Sequence, residues 1–271
     1  VSMSHVPSIG GAIAKKRQDD PYWKPFFDAF PPVRSWLARE QPDVAVLIYN
    51  DHGLNFFLDK MPTFAVGAAP EYRSTDEGWG IPTMPSFPGE QDLSWHMIES
   101  LVGENFDITT CQEMVVDHAF TLPMALLWPD QRWPVRVVPV CINTVQFPMP
   151  SAARCYALGE AVGRAIRSWG SDAKVLVMGT GGLSHQLDGQ RAGFINKAFD
   201  LQFMDSLLFD PTWATRFSIK ELVRQTGTQG VELVMWLAAR AALGDRVQKV
   251  HGNYHIPISN TASGVLALQA A

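Results

Sequence analysis

Thiols are scarce in this chain. Three cysteines, Cys111, Cys141 and Cys155, stand among 271 residues, and none forms a CxxC pair. An odd, scattered set gives poor support to a disulfide framework or a zinc–thiolate site, and fits a reducing, cytoplasmic setting. Charge is sparse as well. Lys and Arg number 22 against 27 Asp and Glu, a net charge of -5, and no basic tract stands out, so nucleic acid is not an expected partner. No apolar run reaches the length of a membrane span, and no cleavable signal precedes the first residues. Internal repeats and low-complexity tracts are missing too. So are the phosphate-loop lysine spacing, the dinucleotide-binding glycine spacing and a G-x-S-x-G elbow, which removes the readings those motifs would carry.

What is there reads as alternating strands and helices. With 46% hydrophobic residues the chain can bury a sizeable core. Val44 to Tyr49, Val135 to Val140 and Val175 to Met178 are short continuous apolar runs, as expected of strands covered on both faces. Asp92 to Leu101, Arg154 to Trp169, Phe199 to Phe209 and Gly230 to Leu243 have apolar positions at helical spacing. The alternation predicts an α/β sandwich spanning 1–271 as one domain: a central mixed sheet flanked by helices. Residues 70–91, rich in Pro, Gly and charge, read as a long ordered loop. The chain opens Val1-Ser2-Met3-Ser4-His5, as if inside a strand, so a few native residues are expected before Val1.

The candidate site residues are histidines and one carboxylate. Glu232 lies in Gly230-Val231-Glu232-Leu233-Val234-Met235-Trp236-Leu237. A carboxylate in such surroundings is costly unless a partner or metal compensates it; the alternative is a helix glutamate on a narrow polar face. His5 and His52 each follow a short apolar run. His52, in Asn50-Asp51-His52-Gly53, sits where open α/β sheets gather their sites, although such a turn also serves local backbone hydrogen bonding. Two histidines and a carboxylate, free of thiols, suit a non-haem ferrous site with open positions. His185 ends Gly179-Thr180-Gly181-Gly182-Leu183-Ser184-His185, a glycine turn that brings backbone close to a ligand, and reads as a general acid/base. His118 reads either as facing a substrate or as structural. His96 reads as structural, and His255 as packed near a candidate substrate segment.

Together these segments resemble a known pattern. Ser4-His5-Val6-Pro7, Tyr49-Asn50-Asp51-His52, Pro62 to Gly67, Asp76-Glu77-Gly78-Trp79-Gly80, Val116-Asp117-His118, Gly179 to Leu187, Arg191-Ala192-Gly193, Gly230 to Trp236 and Pro257 to Ala262 are similar to the class III extradiol ring-cleaving dioxygenases, the family of the catalytic β subunit of protocatechuate 4,5-dioxygenase. Gallate and 3-O-methylgallate dioxygenases look alike in the same places. The resemblance runs nearly end to end. It implies Fe(II) bound by His5, His52 and Glu232 at the strand ends, an acid/base at His185, and His118 nearby in the pocket. It also implies Asn50 in the pocket and Ser259 and Asn260 against a substrate carboxylate. The implied reaction is meta cleavage of a carboxylated catechol, most simply protocatechuate, to a muconic semialdehyde. In the two-chain members a small helical α subunit caps the site. No fused second domain is expected after Ala262, so the expectation is a separate α partner, with αβ units pairing as dimers, or else a stand-alone relative. Two rivals stay open: a zinc enzyme, because His/His/Glu also binds zinc, and a metal-free scaffold of the same fold.

Overall fold

The computed structural model describes residues 1–271, apart from the side chain of Pro257. In chain order the elements are β1 (Ser2–Met3), α1 (Pro7–Ala14), α2 (Lys24–Phe27), α3 (Phe30–Glu40), β2 (Val44–Tyr49), β3 (Phe64–Gly67), β4 (Glu71–Ser74) and β5 (Phe87–Pro88). There follow α4 (Gln91–Gly103), β6 (Ile108–Cys111), β7 (Val115–Val116), α5 (His118–Leu127), β8 (Arg136–Ile142), α6 (Ala152–Ser168) and β9 (Val175–Thr180). The chain closes with α7 (Lys197–Phe209), α8 (Ile219–Thr226), α9 (Leu233–Ala241), β10 (Val247–Ile258) and β11 (Thr261–Ala270).

An eight-stranded mixed sheet runs in the order β10-β11-β1-β9-β2-β8-β3-β6. Its centre is parallel: β1 with β9, β9 with β2, and β2 with β8. The carboxyl ends of β1, β2, β8 and β9 therefore meet along one edge. β2 shows why the apolar runs are continuous. Val44, Val46 and Ile48 enter the hydrophobic core on one face, and Ala45, Leu47 and Tyr49 enter the core on the other. A strand covered on both sides has no polar face to show.

Helices cover both faces. α6 starts at Ser151, whose Oγ accepts the Arg154 N–H, and α8 starts with a reciprocal capping box between Ser218 and Glu221. Glycines let α6, α9 and the sheet approach closely. A Cβ on Gly159 would lie 2.1 Å from the Ala238 carbonyl oxygen, and one on Gly179 would lie 2.4 Å from that of Met235. α9 is thus pressed onto β9, which brings its first residues to the edge where the strands end.

Three expectations change in detail. Residues 70–91 contain β4 and β5, which join β7 in a small three-stranded sheet. Tyr72 and Phe87, both fully buried, anchor strands too short to show a period. The segment expected as a helix from Gly230 opens as a 3₁₀ turn, Gly230–Glu232, before α9 begins. The carboxyl-terminal β10–β11 hairpin, turning at Ser259-Asn260, lies beyond any of the strand runs above. No helix among the described residues is long and apolar enough to cross a membrane.

Candidate metal centre

Three of the segments that reach the strand-end edge each deliver one ligand-type side chain. His5 follows β1, His52 follows β2, and Glu232 comes from the 3₁₀ turn before α9. His5 Nε2 lies 3.5 Å from Glu232 Oε2, and His52 Nε2 lies 3.7 Å from Glu232 Oε1. Each imidazole thus faces a different oxygen of Glu232, and His5, His52 and His118 each offer a ligand atom within 4.8 Å of the others, a group that could hold a metal ion. Glu232 and His5 are buried; His52, with 29% of its side chain exposed, is the open side of the cluster.

Glu232 is placed by backbone. Gly182 N–H donates to its Oε2 at 2.9 Å, and the Asn50 amide lies 3.4 Å from Oε1. Gly181, with a positive φ of 114°, leaves the room: a Cβ there would stand 2.9 Å from Glu232 Oε2. Burial disfavours the charge on Glu232, but His5 and His52 outweigh it and hold the carboxylate well below its ordinary pKa. The reading of Glu232 as a partly exposed helix glutamate is excluded by this burial.

The histidines share one device: each has Nδ1 tied down. Thr180 Oγ1 gives its own proton to the Ala119 carbonyl at 2.9 Å, so at 3.1 Å it accepts from His5 Nδ1. Asp117 Oδ2 accepts both His52 Nδ1 and the His52 backbone N–H at 2.8 Å. Glu77 faces His118 Nδ1 at 2.6 Å, and the Leu183 carbonyl faces His185 Nδ1 at 2.8 Å. In every case Nε2 is the nitrogen left over, which is how metal-binding and acid/base imidazoles are oriented. Burial lowers the His5 pKa despite Glu232, favouring the neutral, ligating form. Burial also opposes charge on His52, but Asp117 and then Glu232 prevail and raise its pKa to about 10. A cation at the site would have to displace that proton.

Around the three donors, His118 stacks on His52 with ring centroids 4.3 Å apart and meets His5 edge-on at 5.5 Å. His185 flanks Glu232: its carbonyl accepts the Gly230 N–H at 3.2 Å. Asn50 reaches both His52 and Glu232, and its Oδ1 is buried without a partner. An orphaned acceptor beside three donors is what a missing ligand would satisfy. Ser259 and Asn260 stand apart from this cluster. They form the exposed tip of the β10–β11 hairpin, where Ser259 N–H donates to the Tyr22 hydroxyl at 2.8 Å. Next along the strand, Thr261 pairs with His185, which ties the hairpin to the turn that carries His185. His96, bonded to Ser168 at 2.9 Å, lies outside the cluster.

Asp117, Glu77, Thr180 and Asp200 escaped the reading of the sequence. Asp117 was visible: an Asp directly before a helix is a cap signal, and its Oδ1 accepts the Ala119 N–H at 3.0 Å. Asp200 is fully buried and accepts from Ser184 N–H, Ser184 Oγ and the Tyr254 hydroxyl at 3.0, 2.6 and 2.8 Å. Burial raises its pKa, partly offset by those donors. It steadies the residue before His185 from α7, a helix that nothing in the sequence connects to that turn.

The sequence matches the family described as the catalytic LigB subunit of aromatic ring-opening dioxygenase over residues 1–264. The chain belongs to that family. It is 40% identical over 195 residues to a gallate dioxygenase of Pseudomonas putida, covering 72% of this chain and 57% of that protein. It is 35% identical over 161 residues to a 2,3-dihydroxyphenylpropionate/2,3-dihydroxicinnamic acid 1,2-dioxygenase of Rhodococcus globerulus, covering 58% and 48%. A protein of the same name from Photorhabdus laumondii is 31% identical over 187 residues, covering 68% and 55%. The chain thus spans about half the length of the curated relatives it matches.

Proposed function

We propose that this chain is the ferrous catalytic part of an extradiol dioxygenase that opens a carboxylated catechol ring. The observation that carries the reading is the gathering of His5 Nε2 and His52 Nε2 at 3.5 and 3.7 Å from the two oxygens of the Glu232 carboxylate, at the strand-end edge of the sheet. Two imidazoles, His52 having given up its extra proton, and one carboxylate suit Fe(II), and the cluster leaves one side uncovered. When bound, the iron supplies open positions for two vicinal ring oxygens and for dioxygen, and the redox chemistry that joins them. The chain's own residues do the rest. His5, His52 and Glu232 hold the ion. His185, its Nδ1 fixed on Leu183, offers Nε2 to take a proton from a ring hydroxyl and to return one when the ring opens. His118 walls the pocket beside His52, and Asn50 offers its unpartnered Oδ1 to a hydroxyl. Ser259 and Asn260, in the turn just before the Thr261 pairing with His185, are the proposed donors to the ring carboxylate.

Protocatechuate is the simplest acid that fits. Gallate, which differs by one hydroxyl, is the second reading, favoured by the 40% identity to a gallate dioxygenase. We further propose a small helical α subunit over the site, with αβ units pairing as dimers. Phe57, Leu58 and Phe147, on the loops after β2 and β8, are 56%, 74% and 55% exposed, an apolar rim suited to a cap. The three free, buried cysteines are consistent with residence in the cytoplasm. The test is anaerobic ferrous loading of the full-length protein, then oxygen uptake with protocatechuate, gallate and 3-O-methylgallate, with and without a partner. Stoichiometric oxygen consumption and a ring-opened product are expected, a semialdehyde in the case of protocatechuate. Zinc retention with no oxygen consumed on any of the three acids would overturn the proposal.

A further inference from the structure

Glu77 has no part in the reaction as described, yet it is built into the site. It arrives on the segment between β4 and β5, next to Trp79, which is 64% exposed. The Glu77 side chain is turned inward, only 8% exposed. Its Oε1 accepts the His118 backbone N–H at 2.7 Å, and its Oε2 faces His118 Nδ1 at 2.6 Å. Asp117 grips His52 in the same way, through backbone N–H and Nδ1 together. The two gripped imidazoles are stacked on each other. One carboxylate serves the proposed iron ligand, and the other serves the ring beside it.

Donor accounting decides what the second grip does. A backbone N–H can only donate, so Oε1 is committed to it. An ionised carboxylate can only accept, so Nδ1 must carry the ring hydrogen. We infer that Glu77 is the positioning residue of His118: it fixes the Nδ1–H form and the plane of the ring, leaving Nε2 as a hydrogen-bond acceptor for a hydroxyl of the substrate. The inference rests on the proposed reading of the cleft as a site for a polyhydroxylated ring.

The exchange Glu77→Gln separates the possibilities. A glutamine offers one acceptor to two groups, and the backbone N–H keeps it. Nδ1 then meets the amide NH₂ and must accept, which moves the ring hydrogen to Nε2. A wrong tautomer is costly: in a serine-protease triad it lowers kcat about 10⁴-fold. The direct readout is long-range ¹H–¹⁵N correlation of ¹⁵N-histidine in the full-length, zinc-loaded protein, with His118 assigned by its loss in His118→Gln. Native protein and Glu77→Asp are expected to show the Nδ1–H pattern, and Glu77→Gln the Nε2–H pattern. With iron in place, Glu77→Gln is expected to lower kcat/KM roughly 10- to 100-fold at unchanged iron content. An Nδ1–H pattern persisting in Glu77→Gln overturns the assignment. So does a second equivalent of metal bound by native protein and lost in that variant, because Glu77, Asp117 and His118 would then be cation ligands. Normal turnover by His118→Gln, with the tautomer change intact, would instead overturn the reading of the cleft.

Discussion

Asp117→Asn probes the support of the metal centre without touching a ligand. The native carboxylate takes three donors: His52 N–H, His52 Nδ1 and, through its other oxygen, Ala119 N–H. Asparagine is a good helix cap, so Oδ1 can keep the Ala119 bond and α5 can keep its start. The amide nitrogen then confronts two donors of His52. The backbone N–H loses its acceptor at a fully buried position, which costs about 1–3 kcal/mol of stability. The ring answers by moving its hydrogen to Nε2, the atom 3.7 Å from Glu232 that is proposed to bind the ion. Loss of such a carboxylate partner weakens metal binding roughly 10- to 100-fold, or about 1.4–2.7 kcal/mol. Two assays separate the effects: anaerobic Fe(II) competition against a chelator, and urea unfolding of metal-free protein. Iron affinity within about twofold of native would refute the argument, whatever the unfolding curve shows, because it would mean that the carboxylate does not set the ligating nitrogen.

Further outcomes are expected at other positions. Glu232→Ala should leave no retained iron, measured by metal analysis after desalting; full occupancy would contradict its role. His185→Ala should keep iron and lose turnover by ~10²–10⁴-fold, and loss of iron with intact substrate binding would make His185 a ligand instead. Ser259→Ala and Asn260→Ala should narrow the preference for protocatechuate over catechol at constant iron content; equal kcat/KM on both substrates in native protein would remove the carboxylate contact. Gly181→Ala should cost about 1–3 kcal/mol in urea unfolding, from backbone strain at positive φ, and should weaken iron binding, because its Cβ would crowd Glu232; native affinity would show that the carboxylate has room to move.

The centre of the fold was readable because β2, β8 and β9 are buried on both faces and so appear as unbroken apolar runs. α6 was readable because one face of it is exposed. β4 and β5 were hidden in a Pro- and Gly-rich stretch, since strands of four and two residues are defined by their partners and not by a pattern. For the site, the ligand-type residues stand out by chemistry alone, Glu232 above all, as a carboxylate among apolar neighbours. Their supports do not. Glu77 reaches His118 across the small sheet, and Asp200 reaches Ser184 from α7, contacts that exist only after folding. The distance between Ser259-Asn260 and the buried donors is equally invisible in sequence, because it depends on the angle of a hairpin.

His5 belongs to a strand with no stability of its own. β1 is two residues long, wedged between β9 and β11, and the residue before His5 is bonded in both directions to Gly264, through Ser4 N–H to the Gly264 carbonyl and Gly264 N–H to Ser4 Oγ, each at 3.1 Å. The earliest ligand in the sequence is therefore seated by one of the latest residues. The segment that carries His5 is thereby held by the β10–β11 hairpin, so the seating of His5 depends on that hairpin being docked. With His5 as a ligand, as proposed, an ion at 100 times its Kd would add about 2.7 kcal/mol to the fold in which the hairpin is docked.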